Sequence, residues 1–460
     1  MGTRKGFIFT IALGSLAVGC GQEQQQQEDA ASTRSLSRIS QRSIDGWIVL
    51  GLQTGTGRDD EFLGLALNER SEVYVSGYEG GVTGISNVEP AGDARGLIVR
   101  YDPYLDEYME TRFNINALGT AEVIEALTVD PASQEVYFAG RTTGSFAGIQ
   151  NQGQFDNLAG WIDGTGTPRL FQWGTAKPQH PRKIALAPDK KIIVSGYDDI
   201  YIPSNYVESV EDPFITKLER TTTGGMQHLW TKQFNTGWVD LLPGMTLDDS
   251  GNIYVTGSNS AGTSRGMFVR KYDSSGTQVW NERQSTISFD SAASVSLTGP
   301  VGTRSIIFAG STFSLLGERQ YGEQDVVVRK LSLSGGPALW TRQYGTTGSE
   351  WVTDMATDPQ GNIYVVGETT GQFDPEIPNQ GGADIFLMKL DPDGMKPDVL
   401  QLGSSGDDHP SSVITDACGN VYVAGYTTGS LAGGDHLGGR DAFVMRVTPP
   451  NTPCFTTGLP

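Results

Sequence analysis

The chain has few of the residues that build common metal and nucleophile sites. Its 460 residues include four histidines and three cysteines. None of them stands in the HxH, HExxH or CxxC spacing of a zinc site. A GxSxG nucleophile motif is also missing. Spacing therefore identifies no metal centre and no catalytic residue, and no cofactor is expected from it.

Positive charge is scarce as well. The chain has 33 Lys and Arg against 53 Asp and Glu, which gives a formal net charge of −20. Proteins that bind duplex or single-stranded nucleic acid need a basic surface that displaces counterions. The sequence contains no cluster of Lys and Arg that could supply one. Nucleic acid is therefore excluded as a partner.

Long apolar runs and helical patterns are missing after the first 20 residues. The chain has 60 Gly, 22 Pro and a hydrophobic content of 37%. This composition is typical of many short strands joined by tight turns. A transmembrane helix would need about 20 consecutive apolar residues. We therefore expect an all-β body.

The N-terminus has the pattern of an export signal. Arg4 and Lys5 precede an apolar stretch, residues 6–18, that is too short to span a bilayer. Residues 16–20, LAVGC, resemble the lipobox of bacterial lipoproteins. The resemblance implies a lipid on Cys20, with palmitate among its acyl chains. Ordinary cleavage beside an incidental cysteine is the alternative. Residues 1–19 are predicted to be a signal peptide.

Residues 20–45 are rich in Gln, Ser and Arg and show no apolar periodicity. We expect a disordered tether, which would reach about 80 Å when fully extended. Together with the lipid, it predicts an exported protein anchored in the bacterial cell envelope, on the outer membrane or the cell surface. The membrane is then a partner through the N-terminal anchor.

One short pattern recurs seven times in the rest of the chain. It is an apolar strand that ends in glycine, such as VYVSG or IYVVG, and successive marker glycines are 53 to 63 residues apart. A polar turn such as DPQGN precedes it, where Asp binds its own backbone and Gly accepts positive φ. The marker glycines are Gly77, Gly140, Gly196, Gly257, Gly310, Gly367 and Gly425.

Each repeat contains four strand patterns. A strand of small residues precedes the marker strand, an apolar strand such as DIFLMKL follows it, and a strand such as LWTRQY comes last. The third strand is apolar on both faces, so neighbouring sheets must cover it on both sides. Radial packing of small sheets satisfies this requirement. The repeats therefore predict a seven-bladed β-propeller of four-stranded antiparallel blades, with the small-residue strand innermost.

The two ends of the chain complete one blade. Residues 47–52 (WIVLGL) form an outermost strand without its own preceding strands, and the last blade ends after its third strand at Val447. We expect the N-terminal strand to pair into the last blade and close the ring. This makes residues 46–460 a single propeller domain with a short C-terminal tail, and a monomer.

The segment 339–394, LWTRQYGTTGSEWVTDMATDPQGNIYVVG through DIFLMKLDPDG, resembles the bacterial seven-bladed β-propeller repeat family, SBBP. The resemblance extends in weaker form over roughly 400 residues. It implies the fold and little about activity.

Strand polarity places the long connections on one edge of the disk, which we call the long-loop face. These connections run from the second to the third strand of six blades, and binding residues often lie in such loops. The opposite edge has short turns. One of these turns holds Cys418, and Cys454 leaves the last strand at the same edge. We therefore predict a disulfide between them, with two independent thiols as the alternative.

A ring of acids is predicted at the channel mouth on the long-loop face. The acids lie about 17 residues before the marker glycines, where the outermost strand of one blade leads to the innermost strand of the next. They could accept backbone hydrogen bonds and fix the blades, or converge on a hard cation such as calcium. The predicted ring residues are Asp60, Glu122, Asp240, Asp290, Glu350 and Asp408.

Three functions are compatible with these patterns. The leading interpretation is a non-enzymatic cell-envelope lipoprotein, a propeller scaffold that binds protein or polysaccharide through its long-loop face. The first alternative is a hydrolase acting on glycosidic or lactone substrates at the channel mouth, which a buried, closely spaced carboxylate pair would favour. The second is a structural or assembly component of the envelope. Aromatic residues lining the mouth would favour binding.

Overall fold

The computed structural model describes residues 8–9, 35–44, 46–83, 90–91, 94–113, 120–146, 149–200, 210–234, 240–261, 264–286, 288, 290–450 and 452. Almost all regular structure in these residues is β-strand, in seven sheets. Each sheet is a blade whose four main strands we call a to d from the centre outward. The part of the chain described contains no helix that could cross a bilayer.

The blades follow one another along the chain, and the strands within each blade are antiparallel. Strands a are Asp59–Leu67, Glu122–Val129, Gln179–Leu186, Asp240–Leu247, Ser291–Thr298, Glu350–Thr357 and Asp408–Thr415. Strands b are Val73–Thr83, Val136–Thr142, Ile192–Ile200, Ile253–Ala261, Ser305–Thr312, Ile363–Thr369 and Val421–Thr427. Strands c are Arg95–Tyr101, Asp156–Ile162, Val210–Arg220, Ser264–Tyr272, Asp325–Ser332, Asp384–Leu390 and Asp441–Thr448.

The outermost strands carry the aromatic residues predicted for them. Strands d are Glu107–Phe113, Pro168–Trp173, Met226–Gln233, Gln278–Thr286, Trp340–Tyr344, Asp398–Leu402 and, for the last blade, Trp47–Gly55. Additional short elements are Ile8–Phe9 beside strand d of blade 1, Pro90–Ala91 beside strand b of blade 1, and the 3-10 helix Leu431–Gly433. The seven a strands contact one another in ring order around a central channel.

The predicted seven-bladed propeller and its closure are confirmed. Strand Trp47–Gly55 pairs antiparallel with Asp441–Thr448, from Ile48 opposite Thr448 to Thr54 opposite Ala442. The Trp47 ring is buried, and its Nε1 donates to Asp398 Oδ1 of the neighbouring blade at 3.2 Å. The N-terminal strand therefore completes blade 7.

The predicted disordered tether is wrong for residues 35–44. Ser35–Ile44 forms a fifth strand outside Trp47–Gly55 and pairs with it antiparallel. The reason is an open edge of unpaired backbone groups on the closing strand, which the preceding segment covers. The sequence contained a signal for this hairpin, because Asp45-Gly46 is a tight-turn dipeptide and Gly46 has φ of 85°. Residues 20–34, Cys20 included, lie outside the described residues.

A β-bulge in the a strands explains the marker glycine. In blade 6, Val352 pairs with Gly367 and Asp354 with Val366, so Thr353 is an extra residue. The bulge turns the carbonyl of Trp351 towards Gly367, where any Cβ would overlap the carbonyl oxygen. The marker glycines of blades 1, 2, 3, 5 and 7 face a strand a carbonyl in the same way. Close backbone approach, and not turn formation, requires glycine there.

The a–b turns have the predicted hydrogen bonds. Asp358 Oδ1 accepts from the backbone N–H of Asn362 at 2.8 Å, and the buried Tyr364 hydroxyl donates to Asp358 Oδ2 at 3.2 Å. The equivalent turn of blade 7 includes Cys418, whose N–H donates to Asp416. A Cβ built at Gly419 would lie 3.8 Å from Thr452 Cγ2. Cys454 is outside the described residues, so its disulfide with Cys418 stays a prediction.

Candidate functional site at the channel mouth

The predicted ring acids lie where each a strand begins, on the long-loop face. Glu122, Asp240, Glu350 and Asp408 are the first residues of their strands, Asp60 is the second, and Asp290 immediately precedes its strand. The side chain of Asp240 is outside the described residues. The backbone N–H groups of Asp60, Glu122, Glu350 and Asp408 donate to carbonyls of the preceding blade at 2.8 to 2.9 Å. These positions therefore connect adjacent blades.

Three of the ring carboxylates accept hydrogen bonds from the turn that precedes them. Glu350 Oε2 accepts from the backbone N–H of Thr346 at 2.9 Å, and Oε1 accepts from the Thr346 hydroxyl at 2.6 Å. Asp60 accepts equivalent bonds from Thr56 at 2.7 and 2.8 Å, and Asp408 accepts from the N–H of Ser404 at 2.6 Å. A hydroxyl residue four positions before the acid therefore fixes each of these three carboxylates.

Strand b supplies a further donor. The residue two positions after the marker glycine is threonine in four blades, and its hydroxyl donates to the ring acid of the same blade. These pairs are Thr142–Glu122, Thr312–Asp290, Thr369–Glu350 and Thr427–Asp408. The repeat thus provides a second donor to the carboxylate in these four blades, as a scaffold role requires.

Blade 3 has an amide at the ring position, which sequence reasoning missed. Gln179 starts the a strand, and its Nε2 donates to Thr175 Oγ1 at 2.6 Å. Its N–H donates to the carbonyl of Phe155 in the preceding blade. Gln179 thus contacts the hydroxyl residue four positions before it, as the ring acids do, but it donates this hydrogen bond where the acids accept it.

Burial makes ionisation of Asp60, Glu350 and Asp408 unfavourable. It raises the pKa of Asp60 to about 7, against hydrogen bonds from Thr56 and Gly80 that lower it. Burial also raises the pKa values of Glu350 and Asp408. Among the residues that the structure describes, no three His, Cys, Asp or Glu are grouped as a metal site would need. The contacts favour the scaffold interpretation, and calcium binding stays a prediction.

A second repeated contact, which we call the Asp–Gln clamp, orders the long loops. The first residue of strand c is an aspartate in four blades, and a glutamine from strand d donates to it at 2.7 to 3.0 Å. The glutamine oxygen accepts a backbone N–H of the loop, for example from Phe373. The clamps are Asp156–Gln172, Asp325–Gln343, Asp384–Gln401 and Asp441–Gln53. The repeated TTGSF-type loop sequences therefore serve structure.

The residues that follow the ring acids differ from blade to blade. These seven positions, one in each a strand, form what we call the mouth ring: Glu61, Val123, His180, Leu241, Ser291, Trp351 and His409. Trp351 is 40% exposed, whereas Glu61, Val123 and His180 are buried. An individual site is expected where the repeat varies, so the mouth ring is the candidate functional site.

Blades 6 and 7 form the open side of the mouth. Glu368 lies opposite Trp351 in the strand register, and its Oε1 is 2.6 Å from Nδ1 of His409 in the next blade. The His409 ring stacks on Tyr426 with centroids 4.5 Å apart. The Arg440 guanidinium lies 4.5 Å from the centre of the same Tyr426 ring. A tryptophan, a histidine–glutamate contact and a tyrosine thus lie side by side.

Blades 1 to 3 form the more buried side. Arg440 forms an ion pair with Glu61 of blade 1. In blade 2, Glu125 is the bulge residue of strand a, and it pairs with Arg141 at 3.1 Å and with Arg182 of blade 3 at 3.3 Å. Arg182 also donates to the Tyr197 hydroxyl at 2.8 Å. Ion pairs therefore join the blades around this side of the mouth.

One ion pair crosses the channel below the mouth. Lys183 Nζ of blade 3 is 3.2 Å from Asp354 Oδ2 of blade 6, on the opposite side of the ring. Asp354 also accepts from the Ser412 hydroxyl at 3.2 Å and from the N–H of Val413 at 3.3 Å. Gly64 and Gly244 at the equivalent positions of blades 1 and 4 have no side chain there. We call the space between this ion pair and the mouth ring the cup.

A family model supports the fold of two blades. Residues 339–374 and 399–432 match the SBBP beta-propeller repeat. The predicted resemblance to this family is confirmed for these segments, which contain strands a and b of blades 6 and 7. No curated protein sequence matches the chain significantly.

Solved structures of low identity resemble the whole chain. The polysaccharide lyase Uly1 is 11% identical, with 89% of this chain and 94% of that chain covered and a TM-score of 0.47. Sqt1 from Chaetomium thermophilum is 13% identical, with coverage of 87% and 98% and a TM-score of 0.45. A protein of unknown function from Dyadobacter fermentans is 11% identical, with coverage of 70% and 93% and a TM-score of 0.41. Such similarity does not bear on what this chain does.

Proposed function

We propose that this propeller is a non-enzymatic binding module of the bacterial cell envelope, anchored by lipid at Cys20, and that it binds polysaccharide at the channel mouth on its long-loop face. The exposed Trp351 ring is the observation that carries the proposal.

Trp351 is suited to a sugar ring. A tryptophan with 40% of its surface exposed, in a ring where Glu61, Val123 and His180 are buried, presents apolar surface to solvent. Glu368, His409 and Tyr426 lie next to it and offer the few oriented polar groups that fix a ligand on an apolar surface. A sugar combines an apolar ring face with hydroxyl groups and matches both features.

The N-terminal sequence supports a place in the envelope. The signal pattern and LAVGC at residues 16–20 favour export and acylation of Cys20. With residues 35–44 in a strand, the tether shortens to residues 20–34, which would reach about 50 Å when extended. This length still leaves the propeller outside the lipid headgroups, where long polysaccharides are accessible.

Binding is tested with the full chain carrying Cys20→Ser, which keeps lipid off. Purified neutral and anionic polysaccharides are titrated into the protein, and tryptophan fluorescence and calorimetry are recorded. We expect at least one polysaccharide to bind and Trp351→Ala to weaken that binding about tenfold, as loss of a central aromatic contact does. Leu339→Ala, an exposed residue at the start of an outermost strand, is the matched control. Binding that Trp351→Ala leaves unchanged contradicts the proposed site.

The hydrolase alternative has one observation in its favour. Burial raises the pKa of Glu61, and the charge of Glu125 in the adjacent blade raises it further. A buried carboxyl of this kind can act as an acid, but Glu61 forms an ion pair with Arg440 and Glu125 pairs with two arginines. These arginines favour a structural role for both acids. Release of reducing ends from a bound polysaccharide would establish the alternative.

A further inference from the structure

The ion pairs of the cup have a common orientation. In each pair the cation is more exposed than its acid. The Arg182 side chain is 36% exposed and that of Glu125 is 3% exposed; for Lys183 and Asp354 the values are 29% and 5%. The pair Arg440–Glu61 has the same order, and the His409 ring is likewise more exposed than the Glu368 carboxyl group beside it. A ligand that enters the cup therefore meets the donors first, with the carboxylates behind them.

The exposed cations of the cup contrast with the negative net charge of the whole chain. With a formal net charge of −20, the surface as a whole repels anions. Arg182 is the bulge residue of its a strand and Lys183 follows it; Arg182 pairs with Glu125 of blade 2 and Lys183 with Asp354 of blade 6. Partly buried cations interact more strongly with an anion than fully exposed ones, because the local dielectric is lower.

Lys183 can contact a ligand without leaving its acid unpaired. Asp354 Oδ2 already accepts from Ser412 and Val413, and Asp354 Oδ1 accepts from the N–H of Met355 at 2.9 Å. The ammonium group has three donors and uses one of them on Asp354.

We propose that the cup is selective for an anionic sugar, whose carboxylate or sulfate group binds Arg182 and Lys183 while its ring lies on Trp351. The proposal rests on the proposed function and specifies its ligand. Arginine and lysine donate charge-assisted hydrogen bonds to either anionic group. The two sources of the anion, a uronate and a sulfated sugar, are distinguished by the ligands of the test.

Two matched ligand pairs test the proposal, with the full chain carrying Cys20→Ser. Polygalacturonate is compared with its methyl ester, and dextran sulfate with dextran, by calorimetry at low and high salt. We expect the anionic member of at least one pair to bind about tenfold or more tightly than its neutral partner. Added salt is expected to weaken that binding. Preference within the first pair identifies a carboxylate ligand, and preference within the second a sulfate.

Variants locate the selectivity in the cup. Arg182→Gln and Lys183→Met are expected to reduce the preference for the anionic ligand about tenfold each. Lys396→Met, which removes an equal charge from a side chain that is 86% exposed on an outer turn, should not change it. The double variant Lys183→Met with Asp354→Asn removes the ion pair without leaving a buried charge, so it separates loss of binding from loss of folding. The melting temperature of each variant is measured alongside.

The outcomes are distinguishable from failure of the proposed function. If dextran or the methyl ester binds as tightly as its anionic partner, polysaccharide binding stands and the anionic cup is wrong. Equal effects of Lys183→Met and Lys396→Met also overturn the cup, because general charge then explains the preference. If none of the four polysaccharides binds, both proposals fail.

Discussion

At the residue scale, two opposing effects act on the buried carboxyl groups. Neighbouring side chains and backbone N–H groups donate hydrogen bonds to them, but burial leaves their charged form poorly solvated. Asp60 accepts from Thr56 and from the N–H of Gly80, yet burial raises its pKa to about 7. Asp198 of blade 3 accepts from Gln233, and burial raises its pKa to about 6. Each pKa unit corresponds to about 1.4 kcal/mol between the two protonation states. These groups therefore couple the stability of the propeller to pH near neutrality.

We expect the propeller to lose stability as the pH rises from about 4 to about 7. A carboxyl whose pKa is higher in the folded than in the unfolded state binds more protons when folded. Its contribution is fully present below the unfolded pKa and is lost as the pH rises through the folded pKa, about 7 for Asp60. The melting temperature measured in steps of pH should fall across this range. Asp60→Asn, which cannot ionise, should flatten the slope.

Asp273 provides the matched control for this experiment. Its carboxylate accepts from Ser275 and Thr277 in an exposed turn, and these bonds lower its pKa. Asp273→Asn removes the same charge. Because the pKa of Asp273 is lowered, its contribution to stability varies only in the acid range, where it is lost as the pH falls. Its slope between about pH 6 and 8 should match that of the unmodified protein. An Asp60→Asn slope equal to the unmodified one contradicts the assignment.

The ring acids could be found from the sequence and the Asp–Gln clamps could not. Four of the acids lie 17 residues before the marker glycine, and Glu122 and Asp290 lie 18 and 20 residues before it, so counting locates them. The two members of a clamp are 16, 18 and 17 residues apart in three blades and 388 apart in blade 7. Their partnership depends on the strand register, which the residue types alone do not give. Gln179 was missed because its role is defined by position and not by charge.

At the element scale, the bulge and the marker glycine form one unit. The bulge directs the extra residue of strand a towards the channel, which brings Glu125 and Arg182 into contact across adjacent blades. The same distortion brings a carbonyl oxygen into the space of a Cβ atom on strand b. Without glycine opposite it, the bulge cannot keep this shape. The marker glycine of strand b therefore determines that the bulge residue of strand a faces the channel.

Gly367→Ala tests this coupling. The added methyl group would overlap the carbonyl oxygen of Trp351, which is backbone and cannot rotate away. We expect a loss of about 2 to 4 kcal/mol in the free energy of unfolding, measured with urea, since overpacking of this kind forces a backbone shift. Gly164→Ala, at a turn where a Cβ meets nothing within 4 Å, should change stability by less than about 0.5 kcal/mol. Equal losses for both variants would show that steric overlap is not the cause.

The outer strand Ser35–Ile44 marks the limit of prediction for elements. Its sequence, SLSRISQRSI, lacks the apolar alternation that identified the other strands. Pairing with the closing strand satisfies backbone groups and needs no buried side-chain face. The strands of the blades were predictable because both periodicity and repetition marked them. This strand had only the Asp45-Gly46 turn as a signal.

At the scale of the whole molecule, the ring closes through one strand from the start of the chain. Trp47–Gly55 supplies the outer strand of blade 7, the Gln53 clamp on Asp441, and a buried tryptophan that contacts blade 6. Strand Asp441–Thr448 would be an exposed edge without it. Closure therefore depends on a short segment whose contacts are all distant in sequence.

Two truncations separate the closing strand from the strand outside it. Removal of residues 1–55 should expose Asp441–Thr448, lower the melting temperature and produce oligomers, as measured by light scattering after gel filtration. Removal of residues 1–44 takes away Ser35–Ile44 and leaves the ring closed, so this chain should remain monomeric. A monomer of unchanged melting temperature after the longer deletion contradicts closure by Trp47–Gly55.

The propeller could be predicted from repetition, and the cup could not. Seven copies of one pattern specify seven blades, whereas Trp351, His409, Arg182 and Lys183 occur once each at variable positions. Their proximity follows from the circular arrangement. Lys183 and Asp354 are 171 residues apart and meet only because blades 3 and 6 face each other across the channel.

Closure also sets an order of events during synthesis. Ile48 and Thr448 are partners at opposite ends of the described chain, so blade 7 cannot form until the last strand has followed all the others. Until then the chain is a crescent whose two ends carry unpaired strands. Such an intermediate attracts other strands and proteases. Closure of blade 7 is therefore the slowest and most aggregation-prone step of folding. Strand Trp47–Gly55 must stay unpaired until strand Asp441–Thr448 is available.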